Sequence, residues 1–86
     1  MSNLQHYENS LAKWLFQLRE EKGISQEALG VQLGKGQSDI AKIENGSKKV
    51  TVLEMIAWMA ALDIPFDRIE SILKPIYMGL SDHKTT

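Results

Sequence analysis

A short run of polar side chains is the part of this sequence best suited to hydrogen-bond chemistry. At about 100° per residue, a helix over residues 37–45 turns Ile40 and Ile43 inward. The outward positions are short or polar side chains: Gln37 at the exposed N-terminal end, Ser38, Ala41, Lys42 and Asn45. Glutamine pairs bidentately with adenine, and serine or lysine can reach base edges or phosphates. The pattern fits a surface that contacts DNA, and it fits an ordinary solvated helix face equally well.

The rest of the sequence does not have the composition of a catalytic or metal site. The chain has no cysteine, and its two histidines, His6 and His83, are isolated near the ends. A metal site needs clustered His, Cys, Asp or Glu ligands, and nucleophilic catalysis needs a set such as Ser/His/Asp. We therefore expect no enzyme activity, no metal and no cofactor.

Length and charge narrow the remaining possibilities. Eighty-six residues, of which 43% are apolar, suffice for one domain of modest stability, which a partner subunit would help to stabilise. The net charge of −1 disfavours a nonspecific nucleic-acid coat, although residues 25–49 carry four positive and three negative side chains. No apolar run reaches the length of a membrane span, and the N-terminus has no signal-peptide pattern. We expect a cytoplasmic protein without membrane contact.

Helices separated by short glycine-containing breaks must position the polar run. Apolar spacing predicts a first helix within residues 3–22, and Ser25 is a suitable cap for a second over residues 26–33. Gly30 lies inside this second helix at a cost of about 1 kcal/mol relative to alanine, which makes sense if another backbone crosses close by. Two short helices joined by such a break are the arrangement of a helix-turn-helix. In that motif the second helix enters the DNA major groove, and the helix over residues 37–45 has the matching position here.

Two further helices are predicted towards the C-terminus. Thr51 and Glu54 have the spacing of a capping box, in which each side chain bonds the other residue's backbone amide. They predict a fourth helix over residues 52–62. A fifth helix is expected over residues 65–73, and Pro75 should end it, because proline disrupts a helix interior.

From about residue 11 to residue 64 the chain resembles the lambda-repressor-like, Cro-type (XRE-type) helix-turn-helix family. The resemblance rests on LREEKGISQEALG (residues 18–30) and LGKGQSDIAKIENG (residues 33–46), supported by VTVLEMIAWMAALDI (residues 50–64). It implies an all-α domain of five helices with the helix-turn-helix in helices 2 and 3. The function that we expect is a sequence-specific transcriptional regulator that binds double-stranded DNA at a two-fold operator. A repressor is favoured, and an activator remains the alternative.

The resemblance also implies roles for single residues. The base-reading positions of the family correspond to Gln37, Ser38 and Lys42. The phosphate-binding positions correspond to Gln26, Asn45, Ser47, Lys48 and Lys49. Arg19 and Glu44 match an ion pair with a structural role, which ties the first helix to the recognition helix.

Three positions depart from the family pattern. Gly36 replaces the usual Ser or Thr cap of the recognition helix, so that helix loses one side-chain bond. Gly30 replaces the usual alanine at the helix crossing. Asp39 is acidic near the expected DNA surface, where it can stabilise the N-terminus of its helix or accept a hydrogen bond from cytosine.

The C-terminal third has more apolar side chains than one short domain needs, which predicts a homodimer. We expect residues 1–74 to form the DNA-binding domain and residues 75–86 a C-terminal extension that stabilises the dimer and is then disordered. The expected interface consists of Trp58, Met59, Leu62, Phe66, Ile69, Ile72, Leu73, Ile76 and Tyr77. The alternative is that the extension folds back over the fourth helix, leaving a monomer that pairs only on DNA.

Two other functions are compatible with the same fold. An antitoxin-like protein or a protein-interaction module would keep the helices and bind a protein partner. A restriction–modification controller would be a special case of a DNA-binding regulator.

Overall fold

The computed structural model describes the backbone of residues 2–85 and the side chains of residues 4–82. This part of the chain contains helices and no strand. The elements are α1 (Ser2–Lys22), α2 (Gln26–Leu33), α3 (Gln37–Glu44), α4 (Val52–Ala61), a 3₁₀ helix (Phe66–Ile69) and α5 (Glu70–Thr85). The all-α fold with five α-helices is confirmed.

Local capping fixes where the two central helices begin and end. The Ser25 hydroxyl accepts a hydrogen bond of 3.0 Å from the amide of Ala28 and so satisfies one of the free amides at the start of α2. Gly34 ends α2 in the left-handed conformation, with φ of 68°. Gly36 caps α3 with extended backbone and without a side-chain hydrogen bond, as expected for a glycine there.

The predicted capping box at the start of α4 is also formed. Glu54 N–H donates to the Thr51 hydroxyl at 3.0 Å, and Thr51 N–H donates to the Glu54 carboxylate at 2.9 Å. The same carboxylate lies 2.6 Å from the Lys35 ammonium, so it joins α4 to the turn between α2 and α3. The hydrogen bond from Lys35, followed by that from the Thr51 backbone, lowers the pKa of Glu54.

The core lies where the first four helices meet. Trp58 of α4 is its largest fully buried side chain, and its indole N–H donates to the Leu15 carbonyl of α1 at 3.2 Å. The buried cluster contains Leu15, Leu18, Leu29, Ile40, Ile43, Met55, Trp58, Met59, Leu62 and Ile64. Because both helices of the helix-turn-helix contribute to this cluster, their relative orientation is set by the core.

Gly30 allows the helix-turn-helix to be tight. A Cβ atom at this position would lie 2.6 Å from the carbonyl oxygen of Lys35. That distance is well inside van der Waals contact, and the obstructing atom belongs to the backbone. The close approach expected from the sequence is therefore made by the segment that leads into α3.

The predicted bounds of the fifth helix are wrong. Residues of the expected 65–73 helix instead divide between the 3₁₀ helix and the start of α5, and α5 continues through Pro75 to Thr85. The proline ring has a helical φ, but it removes one backbone hydrogen bond and crowds the carbonyl four residues earlier. The expected boundary between residues 74 and 75 thus falls inside a continuous helix.

α5 packs against α1 of the same chain. At Gly79 the space where a Cβ atom would stand is filled by the hydroxyl and ring of Tyr7. This packing offsets the missing hydrogen bond at Pro75, since it holds the second half of α5 against the body of the protein. α5 therefore packs along α1 and leaves the outer face of α4 open. None of the described helices has the length and apolar content needed to cross a bilayer.

Candidate nucleic-acid interface

α3 has one buried side and one polar side. Ile40 and Ile43 are fully buried. Gln37, Ser38 and Lys42 are exposed on the other side, and Ala41 between them is half-buried. The structure therefore places the three residues matched to base reading together on an accessible edge of α3, with the N-terminal end of the helix free of any side-chain cap.

A hydrogen-bonded link between two glutamines orders this edge. The Gln37 side-chain amide N–H donates to the Gln26 side-chain oxygen at 2.6 Å. The Gln26 side-chain N–H in turn donates to the Glu44 carboxylate at 2.9 Å. The link leaves the Gln37 carbonyl oxygen and one N–H available for a base edge. Sequence reasoning missed it, because the two glutamines lie 11 positions apart on different helices. The only sequence signal for this hydrogen bond is that the two glutamines stand at the start of successive helices.

Arg19 and Glu44 form a bidentate buried ion pair. Arg19 Nε lies 2.6 Å and Nη2 3.0 Å from the two carboxylate oxygens, and the side chains are 7% and 4% exposed. Arg19 Nη1 also donates to the Ile24 carbonyl at 2.7 Å. The hydrogen bond with Glu44 raises the pKa of Arg19 further above its usual value, so the guanidinium stays charged. The pair fixes α1 against the C-terminal end of α3.

The segment after α3 is organised by Asn45. Its side-chain oxygen accepts hydrogen bonds from the Ser47 amide at 2.9 Å and from the Ser47 hydroxyl at 2.6 Å. The Asn45 side-chain N–H groups stay available to a phosphate. Two of the five residues matched to phosphate binding, Asn45 and Ser47, thus also shape the segment that carries Lys48 and Lys49.

Each of the two lysines in this segment has a carboxylate neighbour. Lys48 Nζ lies 3.6 Å from Asp39, and Lys49 Nζ lies 3.4 Å from Glu8. Both pairs are substantially exposed, so each contributes little to stability and either lysine can exchange its partner for a phosphate. Asp39 adds a third role to the two considered from the sequence, since it holds Lys48 near the first turn of α3.

A shallow groove of about 370 Å³ lies beside the polar edge of α3. It is lined by Phe16, Gln26, Ala41, Glu44 and Asn45. Phe16 of α1 is 40% exposed. Its ring lies 5.5 Å from the Arg19 guanidinium, in a cation–π contact. No sequence pattern indicated a role for Phe16, because it lies off the apolar stripe of the first helix.

Part of the predicted dimer interface is wrong. Trp58, Met59 and Leu62 are at most 2% exposed, because this face of α4 packs into the chain's own core. They cannot touch a second subunit. Phe66, Leu73 and Tyr77 are exposed, and the remaining predicted interface residues, Ile69, Ile72 and Ile76, are half-buried. The face of α4 that stays open is the other apolar stripe, formed by Leu53, Ile56, Ala57 and Ala60.

Among the residues that the structure describes, no group of three or more His, Cys, Asp or Glu side chains is placed to hold a metal ion. The His83 side chain lies outside the described part.

Comparison with known families locates the same region of the chain. The model of a helix-turn-helix family, the lambda-repressor-like XRE type, matches residues 15–69. The matched segment contains the whole of α2 and α3, the Arg19–Glu44 ion pair and the segment with Lys48 and Lys49. No curated protein matches the chain by sequence.

Proposed function

The chain belongs to the lambda-repressor-like, XRE-type helix-turn-helix family, and on this basis we propose that it is a sequence-specific repressor acting through α3. The family is one of DNA-binding transcription regulators. The observation that carries the proposal is the polar edge of α3, which is exposed to solvent and fixed in position by neighbouring side chains. Gln26 orders Gln37, and the Arg19–Glu44 pair fixes the far end of the helix.

In this proposal the contacts divide by chemistry. Gln37, Ser38 and Lys42 meet base edges in the major groove, where each base pair presents a distinct hydrogen-bond pattern. Phosphates are bound by side chains around that edge: Gln26, Asn45, Ser47, Lys48 and Lys49. Phosphate contacts fix the position of the protein on the duplex and carry no sequence information themselves.

We also propose that the protein binds a two-fold operator as a homodimer. One recognition helix reads only a few base pairs, and two of them about 34 Å apart read one full turn of the duplex. The exposed apolar side chains of the C-terminal third are suited to a symmetric contact with a second copy. They include Leu53, Ile56, Ala57 and Ala60 on α4, followed by Phe66, Leu73 and Tyr77.

Sedimentation equilibrium at micromolar concentration tests the dimer. The wild-type protein should have twice the mass of one chain, and Leu53→Glu or Tyr77→Glu should shift the equilibrium to monomer. Val31→Glu is the matched control, because Val31 is 77% exposed but lies on α2, outside the proposed interface. A monomeric wild-type protein would contradict the dimer and leave an interface that forms only on DNA.

Selection of bound sequences from a random duplex pool tests sequence-specific DNA recognition, on which the repressor proposal depends. We expect enrichment of a two-fold motif whose half-sites lie about 10 base pairs apart. Absence of enrichment would contradict DNA recognition. The open face of α4 would then favour the second candidate, an antitoxin-like or interaction module that uses the same helices to bind a protein.

A further inference from the structure

Phe16 has three features that packing in the core does not explain. It is a large aromatic side chain that remains 40% exposed in the middle of α1. Its ring covers the guanidinium of the buried ion pair at 5.5 Å. It lines the groove beside α3 together with Gln26, Ala41, Asn45 and Glu44, whose carboxylate is paired with Arg19. The other strongly exposed apolar side chains, such as Val31, Leu53 and Tyr77, do not line that groove.

The lining of the groove matches the chemistry of one nucleotide. Gln26 and Asn45 can donate hydrogen bonds to a phosphate, and the N-terminus of α2, which begins at Gln26, favours an anion. Phe16 and Ala41 line the same groove and contribute carbon atoms to it. A backbone phosphate bound by the donors would bring its own sugar, which is apolar along C2′ in DNA, towards the ring.

We propose that Phe16 is a further DNA-binding residue, whose ring packs against the deoxyribose of the nucleotide held by Gln26 and Asn45. The contact is apolar, so it adds affinity without releasing counterions. It is sensitive to the sugar, because a 2′-oxygen would meet the aromatic ring. This inference rests on the proposed function, since it assigns one more contact to the same surface.

The first experiment measures affinity against salt concentration for the duplex found by selection. Phe16→Ala should weaken binding by about three- to tenfold at every salt concentration, the loss expected for the area of one partly exposed ring. The slope of log K against log[salt] should equal that of wild type. Val31→Ala, which truncates an apolar side chain exposed elsewhere, should leave both quantities unchanged.

The second experiment separates contact with the sugar from support of the ion pair. Single nucleotides of the site are replaced one at a time by 2′-O-methyl ribonucleotides. At one nucleotide in each half-site, wild type should lose affinity, and Phe16→Ala should lose clearly less. Thermal unfolding of Phe16→Ala establishes that the variant is folded at the temperature of the binding measurements. Phe16→Leu is the second variant, because leucine keeps an apolar cover over Arg19 while removing the aromatic ring.

The outcomes distinguish this inference from the function on which it rests. Sequence-specific binding by wild type with unchanged affinity of folded Phe16→Ala would overturn the inference alone. A changed salt slope, or equal sensitivity of both proteins to every 2′-substitution, would also overturn it. If wild type selects no sequence at all, the proposed function fails, and the contact assigned to Phe16 fails with it.

Discussion

The Arg19–Glu44 pair shows how a few side chains can fix the position of α3 and its polar edge. Both charges are almost completely buried, and the hydrogen bonds around them lead to other parts of the fold. Arg19 reaches the Ile24 carbonyl, and Glu44 accepts from Gln26, which in turn orders Gln37. Burying two charges is costly unless their hydrogen bonds are satisfied, and no buried side-chain nitrogen or oxygen among the described residues lacks a partner.

Breaking this pair should therefore be severe. Glu44→Gln removes the buried counter-charge of Arg19 and leaves only the exposed carboxylate of Glu20 beside it. We expect a loss of about 3–5 kcal/mol in unfolding free energy. For a domain of this size that corresponds to a melting temperature lower by more than about 10 °C. Glu20→Gln is the control, because Glu20 also contacts Arg19 but is 57% exposed. Equal melting temperatures for Glu44→Gln and wild type would mean that the pair does not stabilise the fold.

Residue types alone leave the role of this surface open. Gln37, Ser38 and Lys42 on one helical face fit DNA contact and a solvated face equally well, and the family resemblance supplies both their expected role and the ion pair. The Gln26–Gln37 hydrogen bond was not predictable, because it depends on the angle between two helices. The groove at Phe16 was missed for the same reason, since residues from α1, α2 and α3 line it.

Among the helices, Gly30 determines how closely α2 meets the segment before α3. Alanine at this position gains about 1 kcal/mol in helix propensity. Its Cβ, however, would lie 2.6 Å from the Lys35 carbonyl oxygen, and overpacking against backbone costs about 1–3 kcal/mol. We expect Gly30→Ala to lower the free energy of unfolding by up to about 2 kcal/mol, measured by urea denaturation. A more stable variant would mean that the crossing is not tight.

The start of α4 should make stability depend on acid pH. Because the pKa of Glu54 is lowered in the folded protein, its ionised form favours folding above the unfolded pKa, and this contribution is lost as pH falls through the folded pKa. Glu54→Gln keeps the capping-box pattern but loses the ion pair with Lys35. The stability difference between wild type and Glu54→Gln should be largest near neutral pH and should shrink as the pH falls below about 4.

Thermal unfolding of wild type and Glu54→Gln over a pH series measures this difference. Glu21→Gln is the matched control, because it breaks a salt bridge with Arg68 whose partners are both well exposed. That substitution should have little effect at any pH. A Glu54→Gln deficit that is independent of pH would exclude the lowered pKa as its cause.

The helices also show where sequence patterns stop being informative. Caps and glycines located α2, α3 and α4 to within one residue at their ends. Proline at 75 predicted a helix end, but packing of α5 on α1 overrides one missing hydrogen bond. The two apolar stripes of α4 were both visible in the sequence. Which stripe faces the core is decided by the placement of Trp58 against Leu15, and sequence periodicity does not contain that information.

For the molecule as a whole, charge is distributed in a way that favours selective binding. The net charge is −1, and residues 50–86 carry three positive and five negative side chains. Sequence-independent attraction to DNA grows with the number of phosphates neutralised, so this chain should bind random DNA weakly at physiological salt. The contribution from base edges must then be a large share of the affinity for a true site.

Binding of Gln37→Ala and Lys48→Ala to the selected site and to its single-base variants tests the assignment of α3 as the recognition helix. Gln37→Ala should cost about 1–3 kcal/mol on the best site and abolish the preference at one base pair in each half-site. Lys48→Ala should weaken binding to all sequences alike and reduce the salt slope by about one, because one phosphate is no longer neutralised. If Gln37→Ala left both affinity and base preference unchanged, α3 would not be the recognition helix, and the proposed mode of DNA binding would be contradicted.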